Sequence, residues 1–301
     1  MIELVLRHAD VAFIRFTHSS VHELVGSIKT LHDSRRQLMH RRWLAWARPR
    51  LSRQPLDLLT ALTPSGSNYI PDFLTPVPDI PVNDSRPGDL DGALDRIAAT
   101  DPEQVRTELD LMVELNDRGA MLPAAARDLH EDPARHLPRL VDDMRAYWRL
   151  VIEPVWDRVF ALCADDVGFR MQQVADGGIG RVLNSVHQQV SYHDDVVAID
   201  KRYECRHDLT GTGLLMIPCA FVWPNVAVAC CHSQRAGITY PPRGLGLAWE
   251  ERVEATDALA ALVGRTRAQM LDELALPMTT THLAAQLGIC LLYTSPSPRD
   301  S

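Results

Sequence analysis

The sequence predicts an α+β fold. A mixed helical and antiparallel-sheet domain over residues 1–250 precedes the first half of a helix-turn-helix over 251–289. Three observations carry this. Leu137, Leu140, Val141, Met144, Trp148 and Val151 recur at the spacings that put side chains on one face of a helix. From Val190 the apolar period shortens to two, through VSYH, VVAID, RYECRH, LLMIP, VAVACC and ITYP, as strands require. Residues 264–289, GRTRAQMLDELALPMTTTHLAAQLGI, return to helical spacing on both sides of Pro277.

Taken in order, residues 2–6 and 11–16 are short β-branched or aromatic runs that predict two strands, or a strand and a bridge. Ser19 or Ser20 is placed to cap a helix running to about Leu31, with Val21, Leu24, Val25 and Ile28 on its buried face. A basic helix is predicted over 34–47, and a short apolar one over 56–62. The Pro-rich stretch 63–88 carries Tyr69, Ile70, Phe73 and Leu74, too apolar for a free linker, so it is expected to pack on the domain. Helices follow over 90–99, from Asp101-Pro102 to Leu115, and over 123–130; Asp at the cap with Pro at the first position is a start signal. The long pattern over 137–174 is kinked or restarted at Pro154 and closed by Gly177-Gly178. The strands from Val190, with a turn at Asp194-Asp195, are expected to form an antiparallel meander. Residues 242–250 read as a loop with a closing helix, and 251–256 as a polar linker.

In the C-terminal stretch, Met270, Leu271 and Leu274 form an apolar stripe, and Pro277 ends that segment. Thr279 or Thr280 is placed to accept the free amide hydrogens of a second helix, whose buried face is Leu283, Ala284 and Leu287 and whose stop is Gly288. The residues after Ile289, CLLYTSPSPRDS, contain no third helix and look like translated sequencing adapter. Residues 290–301 are therefore expected to be a non-native, disordered tail, with the natural chain continuing differently.

At 46% hydrophobic and 23% charged residues, the composition is that of an ordinary globular protein, and 301 residues suit about two domains. The net charge of −8 does not favour nucleic acid over the chain as a whole. Lys29 and Lys201 are the only lysines among 31 basic residues, which points to a GC-rich bacterial genome. Six cysteines without a C-x-x-C pair predict reduced, mostly buried thiols. With neither a signal peptide nor a run of about eighteen apolar residues, a cytoplasmic location is expected.

Several stretches invite chemical readings. LVLRHAD places Arg7 and His8 after a strand, as in histidine phosphatases, where His takes the phosphoryl group and Arg neutralises it; Arg181 and His232 would have to complete the pocket. His18, His22 and Glu23, Cys205 with His207, and Cys231 with His232 are possible metal ligands, but no pair has its complement, so buried thiols and structural histidines are the expectation and no metal or other cofactor is assigned. Arg35, Arg36, Arg41, Arg42 and Arg48 read as a solvated face or a nucleic-acid patch. The GGIG and GTG runs at Gly177, Gly178, Gly180, Gly211 and Gly213 lack the full nucleotide-binding pattern and suit turns. Trp148, Trp156, Tyr203 and Trp223 read as core aromatics or cavity walls.

In combination, LRHADVAFIRFTHSSVHELVGSI, AYWRLVIEPVWDRV, GGIGRVL, DKRYECRHDL, PRGLGLAWE, ALAALVGRTRAQML and TTTHLAAQLGI resemble actinobacterial ArsR-like winged-helix transcriptional regulators with a long N-terminal domain of uncharacterised function. The resemblance implies a non-enzymatic, dimeric DNA-binding regulator with a truncated winged helix-turn-helix, lacking the recognition helix and wing, and a possible small-molecule effector. Thr279, Thr280, Thr281 and His282 would approach the DNA backbone, since helix N-termini favour phosphate. His282 stands where the family often has Glu, which removes a capping-box partner. The alternatives are a hydrolase built on Arg7 and His8, and a ligand-binding module without a DNA role.

Overall fold

Two hydrophobic cores organise residues 1–249, one among helices and one between a pair of four-stranded sheets. The computed structural model of the chain describes residues 1–7, 10–66, 69–78, 90–116, 121–230, 236–249 and 256–273. The fold is α+β. Among the described residues no helix is long and apolar enough to cross a membrane.

The chain opens with strand β1 (Ile2–Val5), whose Ile2 and Leu4 are fully buried. The stretch 11–16, expected to be a second strand or a bridge, is a 3-10 turn at Asp10–Phe13 followed by the two-residue strand β2 (Arg15–Phe16). Asp10 causes this. Its carboxylate accepts the backbone N–H of Arg7 at 3.0 Å and of Gly211 at 2.7 Å, which ties the chain into a turn before a strand can extend. Gly213 completes that contact with a positive φ of 73°, and a Cβ there would strike the backbone of Phe13.

Helix α1 (Ser20–His32) forms with the predicted buried face, although Ser19 turns its hydroxyl to His22 Nδ1 at 2.7 Å rather than capping the backbone. The single helix expected over 34–47 is broken into α2 (Ser34–Gln37) and α3 (Arg41–Leu51). The break is tertiary in origin: His40 is drawn into the core, stacked on Phe221 at 4.7 Å and accepting the indole N–H of Trp249 at 3.0 Å. Helix α4 (Asp57–Leu62) leads into the Pro-rich stretch, which packs as expected. Tyr69, Phe73 and Leu74 are buried, and Asn116 and Glu108 hold the backbone of Tyr69 and Phe73 at 2.7–3.1 Å.

Helices α5 (Leu90–Ala98), α6 (Pro102–Asn116) and α7 (Ala124–Glu131) follow, and α8 (Pro133–Val151) starts four residues before the Leu137 onset of its apolar pattern because Asp132 caps it at Arg135 N. Pro154 restarts the chain through a 3-10 turn at Glu153–Val155 into α9 (Trp156–Val186). Gly178, at φ 75° and ψ 169°, breaks α9 rather than ending it, and helix resumes to Val186.

The strands are β3 (Val190–His193), β4 (Val196–Ile199), β5 (Cys205–Asp208), β6 (Leu214–Pro218), β7 (Ala227–Ala229) and β8 (Ala236–Tyr240). They do not form the expected antiparallel meander. The first sheet has the order β3-β4-β1-β5, with β1 antiparallel to β4 (Ile2 opposite Ile199) and parallel to β5 (Ile2 opposite Cys205). The second has the order β2-β6-β8-β7, in which β6 is parallel to both β2 and β8 and only β7–β8 is antiparallel. β6 and β8, the inner strands of the second sheet, are buried along their whole length, and continuous apolar strands suit such covered, parallel pairing.

Residues 250–301 belong to a second unit. It contains α10 (Thr256–Val263) and α11 (Arg265–Glu273), separated by Gly264 at φ 85°. Ala268 is buried, whereas Leu271, assigned to the apolar stripe, is 53% exposed. Most of the linker 251–256, together with Leu274, Pro277, Thr279, Thr280, Thr281, His282 and the rest of the motif, lies outside the described residues, as does the tail 290–301.

Candidate functional site

Helix α1 directs His22, Val25, Gly26 and Lys29, which share one face at helical spacing, into a cavity of about 340 Å³. That size is in the range of small-molecule sites. The second wall is the segment after β4, residues 200–203, and the third runs from Cys219 to Ala229. Tyr69, Ile70, Asp72 and Thr75 of the packed Pro-rich stretch supply the fourth.

The walls are held by buried polar contacts. Glu23, one residue from His22, is 1% exposed and accepts the backbone N–H groups of Ala220 at 2.7 Å and Phe221 at 3.1 Å. The thiols of Cys219 and Cys163 donate to the same carboxylate at 3.1 and 3.4 Å. Burial raises the Glu23 pKa against the pull of these four donors. Gly26 lets α1 and the 220–222 turn touch, since a Cβ at residue 26 would lie 3.0 Å from Phe221 Cβ. Arg36 reaches across to donate to the Phe221 carbonyl at 2.7 Å, with Asp33 beside it at 3.7 Å.

The chamber is cationic. Lys29, Arg35, Arg36, Lys201 and Arg202 line it against two carboxylates, Asp72 and Asp200. Burial, and then the nearby Arg36, bring Lys29 down to about 7; Asp33 opposes this, and Lys201 and Arg35 add to it. Burial and Arg36 likewise bring Lys201 to about 8 against Asp200, while its Nζ donates to the Val226 carbonyl at 2.6 Å. His22, lowered to about 4 by burial, is neutral near pH 7. Val25, Ile70, Val222 and Val226 give the same chamber apolar surface. Cations buried and crowded until they shed protons, beside an apolar wall, favour a ligand that brings negative charge and an apolar body.

The other candidates fall elsewhere. Arg7 lies at the surface, 67% exposed and 3.8 Å from Asp208, while His8 and His232 lie outside the described residues and Arg181 is exposed on α9. His18 packs on the ring of Phe160 at 4.7 Å. Cys205 and His207 share a face of β5, and Cys231 and His232 are not described. Among the described residues no group of three His, Cys, Asp or Glu side chains is placed to hold a metal ion. Trp148 and Trp156 pack together at 5.0 Å in the helical core, which Trp223 also joins, and only Tyr203 of the four aromatics lines the cavity. The arginine cluster is divided: Arg36 is buried at the cavity, Arg35 lines it, Arg42 donates to the Trp249 carbonyl at 3.3 Å, and Arg41 is exposed. The scarcity of lysine was the sequence signal for this site. Read as genome composition, it gave no hint that residues 29 and 201 meet.

Neither a curated protein nor a solved structure matches the chain. Residues 100–245 match a family of unknown function (DUF5937), a span that takes in the Lys201 and 219–229 walls of the cavity and leaves Lys29 and the rest of α1 outside it.

Proposed function

We propose that residues 1–249 bind a small anionic effector with an apolar portion, and that the protein is a homodimeric transcriptional regulator whose affinity for DNA responds to that effector. The observation that carries the effector half is the convergence of the chain's only two lysines, with Arg35, Arg36 and Arg202, on one cavity that also has apolar walls. The regulator half rests on the resemblance of the segments within 258–289 and of the five stretches before them to ArsR-like winged-helix proteins. The anionic group sits between Lys29 and Lys201, and its charge restores the protons that burial, helped by neighbouring charge, removes from them.

The test is calorimetric titration of the 301-residue chain with a panel of aliphatic and aromatic carboxylates and phosphate monoesters, each paired with its neutral amide or alcohol. Binding of acids but not of their neutral partners, lost in the Lys29→Met, Lys201→Met double variant, is the expected result. Equal binding of the neutral partners, or no binding by any acid, refutes the effector half. For the DNA half, genomic fragments retained by the protein are sequenced with and without the acid that binds. Retention of no preferred sequence would remove the regulator role and leave effector binding standing.

A further inference from the structure

A pair of thiols stands where two walls of the cavity continue past it. Cys205 opens β5, at the edge of the first sheet, two residues after Tyr203. Cys230 follows β7, at the edge of the second sheet, directly after Ala229. Their sulfur atoms lie 3.8 Å apart, with Cys205 partly exposed and Cys230 1% exposed. A disulfide requires a separation of about 2.05 Å, so the sulfurs must close by a little under ~2 Å, within the reach of rotation about the two Cα–Cβ bonds. The same two segments are already linked once, by the Lys201 Nζ bond to the Val226 carbonyl at 2.6 Å, and the chain's amino terminus holds the first of them through the carbonyls of Lys201 and Tyr203 at 2.8 and 2.9 Å. The backbone leading to each cysteine is therefore held in place.

We propose that Cys205 and Cys230 are a redox-responsive pair that hydrogen peroxide oxidises to an intramolecular disulfide, tying together two walls of the cavity. The partly exposed Cys205 supplies the thiolate that attacks the peroxide O–O bond, becoming a sulfenic acid as the leaving hydroxide takes up a proton and departs as water. Cys230 then attacks that sulfur; the S–S bond forms, the sulfenic oxygen leaves as a second water, and two thiols have been oxidised as one peroxide is reduced to two waters. The division of labour follows from exposure, since the buried sulfur cannot meet the oxidant first but lies beside the sulfur that does. Cys163 and Cys219 are the internal controls. Both are buried and donate to Glu23, and burial, reinforced by the Glu23 carboxylate, holds their thiols well above the ordinary range, so they stay protonated and unreactive.

The experiment is peptide mass mapping of the folded 301-residue protein after brief exposure to hydrogen peroxide, with remaining thiols alkylated under denaturing conditions. The expected product is a peptide pair joined through Cys205 and Cys230, lighter by two hydrogens and restored by dithiothreitol, with Cys163 and Cys219 still alkylated. The bond should persist in Cys231→Ser, which separates the two adjacent cysteines. In Cys230→Ser, oxidation should stop at a Cys205 sulfenic acid that dimedone traps. A bridge through Cys231, a bridge between two chains, or direct passage of Cys205 to sulfinic acid in the wild-type protein would overturn the proposal. The wild-type map decides this even where a variant fails to fold.

Discussion

Raising the pH from 7 to 8.5 should stabilise the ligand-free protein, because burial and like charge hold Lys29 at about 7 and Lys201 at about 8, below the ordinary 10.5. The sign follows from proton binding. Above its folded-state pKa, each lysine is neutral in the native protein and still protonated in the unfolded chain, so the unfolded state binds more protons and stability climbs with pH at up to about 1.4 kcal/mol per unit and per lysine. Integrated over this window, Lys29 contributes about twice as much as Lys201, and together they add about 2 kcal/mol. The window avoids the groups that would confuse it. His22 and His40, lowered to about 4 and about 3, exert their effect below the ordinary histidine value of 6.5, and the buried thiols of Cys163 and Cys219 oppose the trend only near and above the ordinary thiol value of 9.0. Urea unfolding at pH 7.0, 7.75 and 8.5 measures the slope, and Lys29→Met should remove about two thirds of it while stabilising the protein at pH 7, since the cost of burying that charge disappears. A bound anion reverses the sign. If it requires both lysines charged, the competent fraction falls by on the order of tenfold or more across the same window and the apparent Kd rises by that factor. A flat or falling stability profile, or a Lys29→Met variant that keeps the full slope, would show that the two ammonium groups are not crowded as the cavity geometry requires.

Three further outcomes follow from the same contacts. Glu23→Ala strips the acceptor from the buried N–H groups of Ala220 and Phe221 and should cost about 2–6 kcal/mol in chemical denaturation, at about 1–3 kcal/mol for each orphaned donor. Gly26→Ala drives a methyl against Phe221 and should lower stability by about 1–3 kcal/mol, despite a gain in helix propensity of about 1 kcal/mol; it should also weaken binding of any acid that fills the cavity, measured by calorimetry. Arg7→Ala removes one partner of an ion pair exposed on both sides and should leave the unfolding midpoint unchanged; a large loss would mean that Arg7 has a structural or catalytic duty beyond Asp208.

Much of the secondary structure can be read directly. Leu24 and Ile28, or Leu140 and Met144, repeat at the helical period because a helix satisfies its own backbone within four residues, and Asp101-Pro102 marks a start for the same local reason. The strand segments from Val190 and the Asp194-Asp195 turn, with φ of 49° and 63°, are equally local. Strand order is not local. Nothing in IELV says that it will separate β4 from β5, and nothing in LLMIP says that it will pair in parallel with β2 and β8, since backbone donors on a strand are satisfied by whichever neighbour burial brings.

The cavity shows the same division more sharply. The helical face of His22, Val25, Gly26 and Lys29 was present in the pattern of α1, and Lys201 was visible as one of two lysines in an arginine-rich chain. Their chemistry arises only when β4 and the turn held by Glu23 bring residues 201 and 219–229 against α1, because desolvation and the field of Arg36 act through space and not along the chain. Residue type and spacing therefore determine which segments coil and which extend; the packing of distant segments determines which charges meet and which thiols face each other.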